Sequence, residues 1–154
     1  MELKVENSLS VSGKIKMTFR NVLTGEIRIS SYSNLVVNTG KYMLAKRLNN
    51  EANDCNLTYC AVGTGTDPPS TNDTTLQTEY YRKVVSSYSR TENITTISTY
   101  FGPSVANTTL KEVALFGEAA SATPDSGTMF NRAAINEIKT SAETLTIDCS
   151  ITFV

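Results

Sequence analysis

Glu79, Glu112, Glu118 and Asp125 are the acidic side chains nearest to the ends of apolar runs, and a carboxylate pair is the acid–base device such residues can build. A glycosidase needs two carboxylates held on either side of one bond. No spacing in this chain fixes two of the four around a shared substrate, so they read as solvated or ion-paired groups. The sequence contains no histidine, which removes the commonest general base. Cys55 and Cys60 flank a short apolar run at a separation that matches no zinc motif, and histidine is not there to complete a set with them or with Cys149. In the 118–127 loop only Glu118 and Asp125 supply charge, too little for a calcium site. Gly63-Thr64-Gly65 raises the question of phosphate. No Gly-Lys-Ser/Thr follows it, however, and Pro68-Pro69 keeps a helix from opening after the glycines. Gly63, Gly65, Pro68 and Pro69 are therefore read as turn residues. No catalytic residue, metal or cofactor is expected, and the chain reads as a non-enzyme.

Tyrosine is the remaining residue type with binding chemistry, at 7 copies beside no tryptophan. Tyr80, Tyr81 and Tyr88 flank one predicted strand and Tyr100 lies on a predicted neighbour. Exposed tyrosines stack on sugars or anchor protein interfaces. Alternating ones equally fill a core with their hydroxyls at its rim, so both readings stand at this point.

The elements that must position these residues are strands. Leu145, Ile147, Cys149, Ile151 and Phe153 alternate with Thr144, Thr146, Asp148, Ser150 and Thr152, and Val11, Ile15, Met17 and Phe19 alternate with Lys14, Lys16, Thr18 and Arg20. Strict period-two alternation is the mark of a strand with one dry and one wet face, so both ends of the chain contribute to one β core. Between them the sequence predicts a hairpin through Thr24-Gly25 and a short run Leu35-Val36-Val37. Further strands are predicted over 57–62, 80–88, 94–101, 110–116 and 129–135, the second and third joined by the polar turn Arg90-Thr91-Glu92-Asn93. Asn38 reads as the cap of one short helix over about 39–49, with Leu44 and Leu48 one turn apart. The fold class is all-β: a single-domain β-sandwich or flattened barrel of about eight or nine mainly antiparallel strands. It is expected to span 11–154, with 1–10 as an N-terminal arm or edge strand.

Composition sets the remaining bounds. A chain of 154 residues buries roughly 70% of its unfolded surface and needs no staple. Net charge is −1 with both signs scattered, so there is no basic face to track a phosphate backbone, and nucleic acid is not an expected partner. Neither a signal peptide nor a membrane span is read at Met1-Glu2-Leu3-Lys4, which places synthesis in a cytosol. In that setting three cysteines do not form a disulfide framework, and the sequons at Asn56, Asn72, Asn93 and Asn107 carry little meaning.

Several of these segments stand in a telling order. Ala61-Val62-Gly63-Thr64-Gly65 is followed by Pro68-Pro69, by Thr74-Thr75-Leu76 with Glu79 and Arg82-Lys83, and by Lys111-Glu112-Val113-Ala114-Leu115-Phe116-Gly117. This order resembles a group of tailed-bacteriophage virion proteins and is similar to the phage tail-collar fibre N-terminal module. Ser33-Asn34-Leu35-Val36-Val37-Asn38-Thr39-Gly40 looks like the start of such proteins, so the resemblance covers roughly residues 13–154. Ala114 departs from the pattern, which usually has glycine there, and no fibre-like extension follows Val154. The resemblance implies a virion structural protein at the capsid surface, neck or tail, in a decoration, collar or adaptor role, assembled in the host cytoplasm. Its implied partners are other virion proteins and further copies of itself, since ring or trimer symmetry hides open strand edges. It also implies an ion pair between Arg82 and Glu112, fixing strand register. The second reading is a carbohydrate-binding module for host-surface attachment, with a surface glycan as partner and the tyrosines and the 64–74 and 118–127 loops as its face. A hydrolase using Glu79 and Glu112 is third.

Overall fold

The computed structural model describes residues 8–51 and 55–154. Their elements run β1 (Val11–Asn21), β2 (Ile27–Val36), α1 (Asn38–Leu48), β3 (Leu57–Gly63), β4 (Glu79–Val84), β5 (Ser87–Thr91), β6 (Ile94–Phe101), β7 (Thr109–Gly117), β8 (Thr128–Ile138) and β9 (Glu143–Phe153). All nine strands pair antiparallel in the order β4-β3-β7-β8-β2-β1-β9-β6-β5, in a sheet curled into a half-barrel. The two alternating ends of the chain meet as neighbours: Ile15 lies opposite Cys149 and Met17 opposite Ile147. Their apolar faces, with Val62, Val113, Leu115, Phe130 and Phe101, form the main core.

β2 is what turns one sheet into two facing halves. Over residues 27–34 it pairs with β1, then at Leu35 and Val36 it changes partner to β8. The run Leu35-Val36 is therefore the end of β2 and not a separate strand. At the opposite rim the chain crosses between the halves a second time. The sequence predicts one strand over 80–88, but the chain breaks at Val85-Ser86, where the Val85 amide donates to Thr58 O at 2.8 Å and the Ser86 amide to Ser98 O at 2.8 Å. One residue thus bonds to each half. Tyr81 meets Phe101 edge to face at 6.2 Å across the same gap, and the Tyr88 hydroxyl donates to Leu57 O at 2.7 Å.

The helix lies within a residue of its predicted span, but its cap and its face differ. Asn38 is already helical and Val37 is the N-cap, with no side chain capping it. Asn38 instead ties α1 to the 64–78 loop, its amide donating to Thr71 O at 2.8 Å and its Nδ2 to Asn72 Oδ1 at 3.0 Å. The buried residues are Gly40 and Met43, whereas Leu48 is 88% exposed. Leu44 packs partly buried against the main core, so of the predicted stripe only Leu48 lies off the docking face. Gly40 sets the approach, because a Cβ there would lie 2.2 Å from Phe130 O.

Ser10 exchanges backbone hydrogen bonds with Val154 at 2.6 and 2.9 Å, extending the β1–β9 ladder. The expected arm over 1–10 otherwise lies outside the described residues as far as residue 7. No helix among the described residues is long and apolar enough to cross a membrane.

Alanine favours helix over glycine by about 1 kcal/mol, yet we expect Gly40→Ala to destabilise the fold by about 1–3 kcal/mol through overpacking against β8. The exposed neighbour Lys41→Ala should stay within about 0.5 kcal/mol of wild type. Urea denaturation of both variants checks this, and a stabilised Gly40→Ala would contradict the docking described.

Candidate functional site

The residues that carry the sequence pattern gather on the outer face of the β4-β3-β7-β8 half. Register places them in rows. Arg82 lies opposite Ala61, Ala61 opposite Ala114, and Ala114 opposite Arg132. In the next row Glu79 lies opposite Gly63, Gly63 opposite Glu112 and Glu112 opposite Ala134. A third row runs Val84, Tyr59, Phe116, Met129. A sheet face of this kind is ordinarily wet in an antiparallel protein. Here it is roofed by the 64–78 and 118–127 loops, and Val37, Ala61, Leu76, Ala114, Phe116 and Met129 make a second apolar cluster beneath them. This explains why β7 is buried at every position from Glu112 to Gly117 instead of at alternate ones: both of its faces are dry.

Two arginine–carboxylate pairs stand under this roof. Glu112 is 1% exposed. Its Oε1 accepts from the Gly65 amide at 3.0 Å and the Thr78 amide at 2.8 Å, and its Oε2 from the Gln77 amide at 3.0 Å and Arg132 Nη2 at 2.8 Å. Arg132 also reaches Asp73 Oδ2 at 2.6 Å and Asp67 O at 3.1 Å. Gln77 adds a strut, its Oε1 accepting from the amides of Thr66 at 2.6 Å and Asp67 at 2.9 Å. The second pair is Arg82 with Glu79, a two-pronged contact at 2.6 and 2.7 Å with both side chains 2% exposed. Arg82 Nη1 then donates to the carbonyls of Ser121 at 3.1 Å and Ser126 at 2.9 Å, and the Asp125 amide donates to Glu79 Oε2 at 3.1 Å. The Arg82 guanidinium lies over the Phe116 ring at 4.7 Å, a cation–π contact strengthened by desolvation.

The expected Arg82–Glu112 pair is thus corrected. Both charges are buried, but each has a different partner. Glu79 is close to Arg82 along its own strand, and Glu112 is the diagonal neighbour of Arg132 across β7 and β8. Arg132 was missed because Asn131-Arg132-Ala133-Ala134 gives no signal of its own; its register beside Ala114 is the only clue. The turn glycines have a sharper purpose than reversal. A Cβ on Gly63 would lie 2.5 Å from Glu112 Oε1, and one on Gly65 2.6 Å from the same atom. They are small because the carboxylate occupies that space. Pro68 is exposed and Pro69 half-buried in the loop that follows.

The four tyrosines are not equivalent. Tyr81 packs against the main core, and Tyr88, opposite the core residue Ile97, lies at the rim between the halves. Tyr80 is 51% and Tyr100 47% exposed, on β4 and β6 in different halves. Of the acidic candidates, Glu118 pairs with Lys46 at 3.3 Å. Cys60 and Cys149 are buried and free. Burial raises both thiols, that of Cys149 to about 12 against hydrogen bonds from Asn131 and Asn34, so both stay protonated at neutral pH.

At the far end of β8 the inward face becomes charged. Glu137 is held below the ordinary carboxylate range. Burial alone pushes it up, but the hydroxyls of Ser30 and Tyr32 and the Arg28 guanidinium together outweigh that push. The Tyr32 hydroxyl donates to it at 2.6 Å, and Arg28 pairs with its other oxygen.

Comparison with known protein families, curated proteins and solved structures gives no match.

Removing one partner of a buried pair strands a charge, at a cost of about 3–5 kcal/mol, so Arg82→Ala and Arg132→Ala should each lower stability far more than Lys83→Ala. Double-mutant cycles separate the partners. We expect large coupling for Glu79 with Arg82 and for Glu112 with Arg132, and clearly smaller coupling for Arg82 with Glu112. The reverse order would restore the pairing expected from sequence.

Proposed function

We propose that this protein is a non-enzymatic bacteriophage virion structural protein, an all-β module that assembles on the capsid surface, neck or tail. The observation that carries the reading is what the pattern residues do. Gly63, Gly65, Glu79, Arg82 and Glu112 converge on one sheet face and lock two loops to it. Their chemistry is spent on shape. Glu112 accepts four hydrogen bonds and Glu79 is taken up by Arg82 and the Asp125 amide, which leaves neither carboxylate free to serve a substrate. This is what a building block requires, and it agrees with the resemblance to the tail-collar fibre N-terminal module.

The rest of the surface offers means of assembly. β4 and β5 are the two ends of the strand order, and an edge strand carries backbone donors and acceptors open to a neighbour. Leu9, Leu44 and Leu48 line an apolar groove between the N-terminal segment and α1, with Leu9 73% exposed. A contiguous exposed apolar surface of this kind is a mark of a protein interface. The glycan-binding alternative called on exposed tyrosines, and of the four Tyr81 packs into the main core.

Multi-angle light scattering on the purified protein, followed by electron microscopy of the intact particle, tests the proposal. A symmetric oligomer whose density is found on the virion is expected. A strict monomer that does not bind virion shells would overturn it, as would a saturable signal on a glycan array.

A further inference from the structure

A lysine is almost never fully buried unless it is paired, yet Lys139 is 1% exposed and has no carboxylate within ion-pair distance among the described residues. It continues the inward face of β8, after Ile135 and Glu137. Its one hydrogen-bonded side-chain partner is Asn107, on the β6–β7 connection, where Nζ lies 2.9 Å from Oδ1. Backbone bonds clamp the two segments together, the Lys139 amide donating to Thr108 O at 3.0 Å. The Asn107 side chain is fixed as well: its Nδ2 donates to Pro103 O at 2.8 Å. This hydrogen bond turns the amide nitrogen away and the carbonyl toward the lysine.

We propose that Lys139 and Asn107 are a modification site, the two ends of an intramolecular isopeptide bond that closes without an added enzyme. The reaction exchanges one amide for another. The neutral Lys139 amine uses its lone pair to form an Nζ–Cγ bond with Asn107. The Cγ–Nδ2 bond breaks, the proton shed by Nζ passes to Nδ2, and one ammonia leaves. Nothing is oxidised or reduced, and no co-reactant is needed.

Three conditions favour the exchange. Burial pushes the Lys139 amine below its ordinary range, against the opposing pull of Glu143, so the nucleophilic form is accessible. The fold holds amine and amide together, replacing an encounter with a fixed neighbour, and such orientation is worth several powers of ten in rate. A buried site also limits the water that would compete for the carbonyl. The product would join the β6–β7 connection to the end of β8 by a covalent bond and remove a buried unpaired charge. This inference stands independently of the assembly reading.

Intact-mass spectrometry of the denatured full chain is the test. The folded wild-type protein should weigh about 17 Da less than its sequence, the mass of one ammonia, and digestion should yield a branched peptide joining Lys139 to Asn107. Lys139→Met should restore the full mass. Asn107→Asp should lose water instead and arrive at the same final mass as the linked wild type, which keeps the test open if Lys139→Met folds poorly. Wild-type protein that is folded by circular dichroism and keeps its full mass after prolonged incubation would overturn the proposal. So would an ammonia loss that maps to an unbranched peptide.

Discussion

A carboxylate carried out of water beneath a loop must have its oxygens met by donors, because an uncompensated buried charge costs several kcal/mol. Glu112 is that carboxylate, and most of one face of the protein follows from it. Three of its donors are backbone amides of the 64–78 loop, at Gly65, Gln77 and Thr78, so the charge can be buried only when the loop is in place. The loop in turn brings Leu76 over Ala61 and Ala114. Gly63 and Gly65 leave room for the oxygens, and alanines opposite one another at 61 and 114 keep the centre of the sheet low between two arginines. A charged hydrogen bond contributes about 1.5–3 kcal/mol. The four at Glu112 therefore act less as a net gain than as a condition that only one arrangement of loop and sheet satisfies.

The two halves of the sheet are finished differently. On the β1-β9-β6 side the outer face stays polar, with Ser98 donating to Asp148 at 2.6 Å and Thr96 beside Ser150 at 3.0 Å. On the other side, loops anchored by Arg82 and Arg132 convert the outer face into a second core. The asymmetry gives the module one stiff, closed side while the strand edges and the groove beside α1 stay open. A component that must hold its shape while neighbours attach to it needs that division, and this is the physical content of the assembly reading.

Much of this was legible in the sequence. Alternation at 11–19 and 145–153 located two strands that pair directly, because one buried face forces period two. The apolar residues of 110–116, Val113 to Phe116 above all, marked a strand, although not that a second core covered its back. What resisted reading was whatever depends on strand order. Arg82 pairs with Glu79 and not Glu112 because β3 lies between β4 and β7, a fact of topology with no local signal. Arg132 went unnoticed for the same reason. The break at Val85-Ser86 was hidden by β-formers on either side. Asn38 resembled a cap, yet its side chain is taken by Asn72, a tertiary contact that overrides local preference.

The central claim is that the buried Glu112 carboxylate holds the 64–78 loop as part of the sheet, and amide hydrogen exchange reads it most directly. On this account the Gly65, Gln77 and Thr78 amides, although all three lie in a loop, exchange as slowly as those of β3 and β7 and open with the same cooperative unit. If those three amides exchanged at the rate of a free loop while β3 and β7 stayed protected, the carboxylate would not be the anchor, and the account would fail.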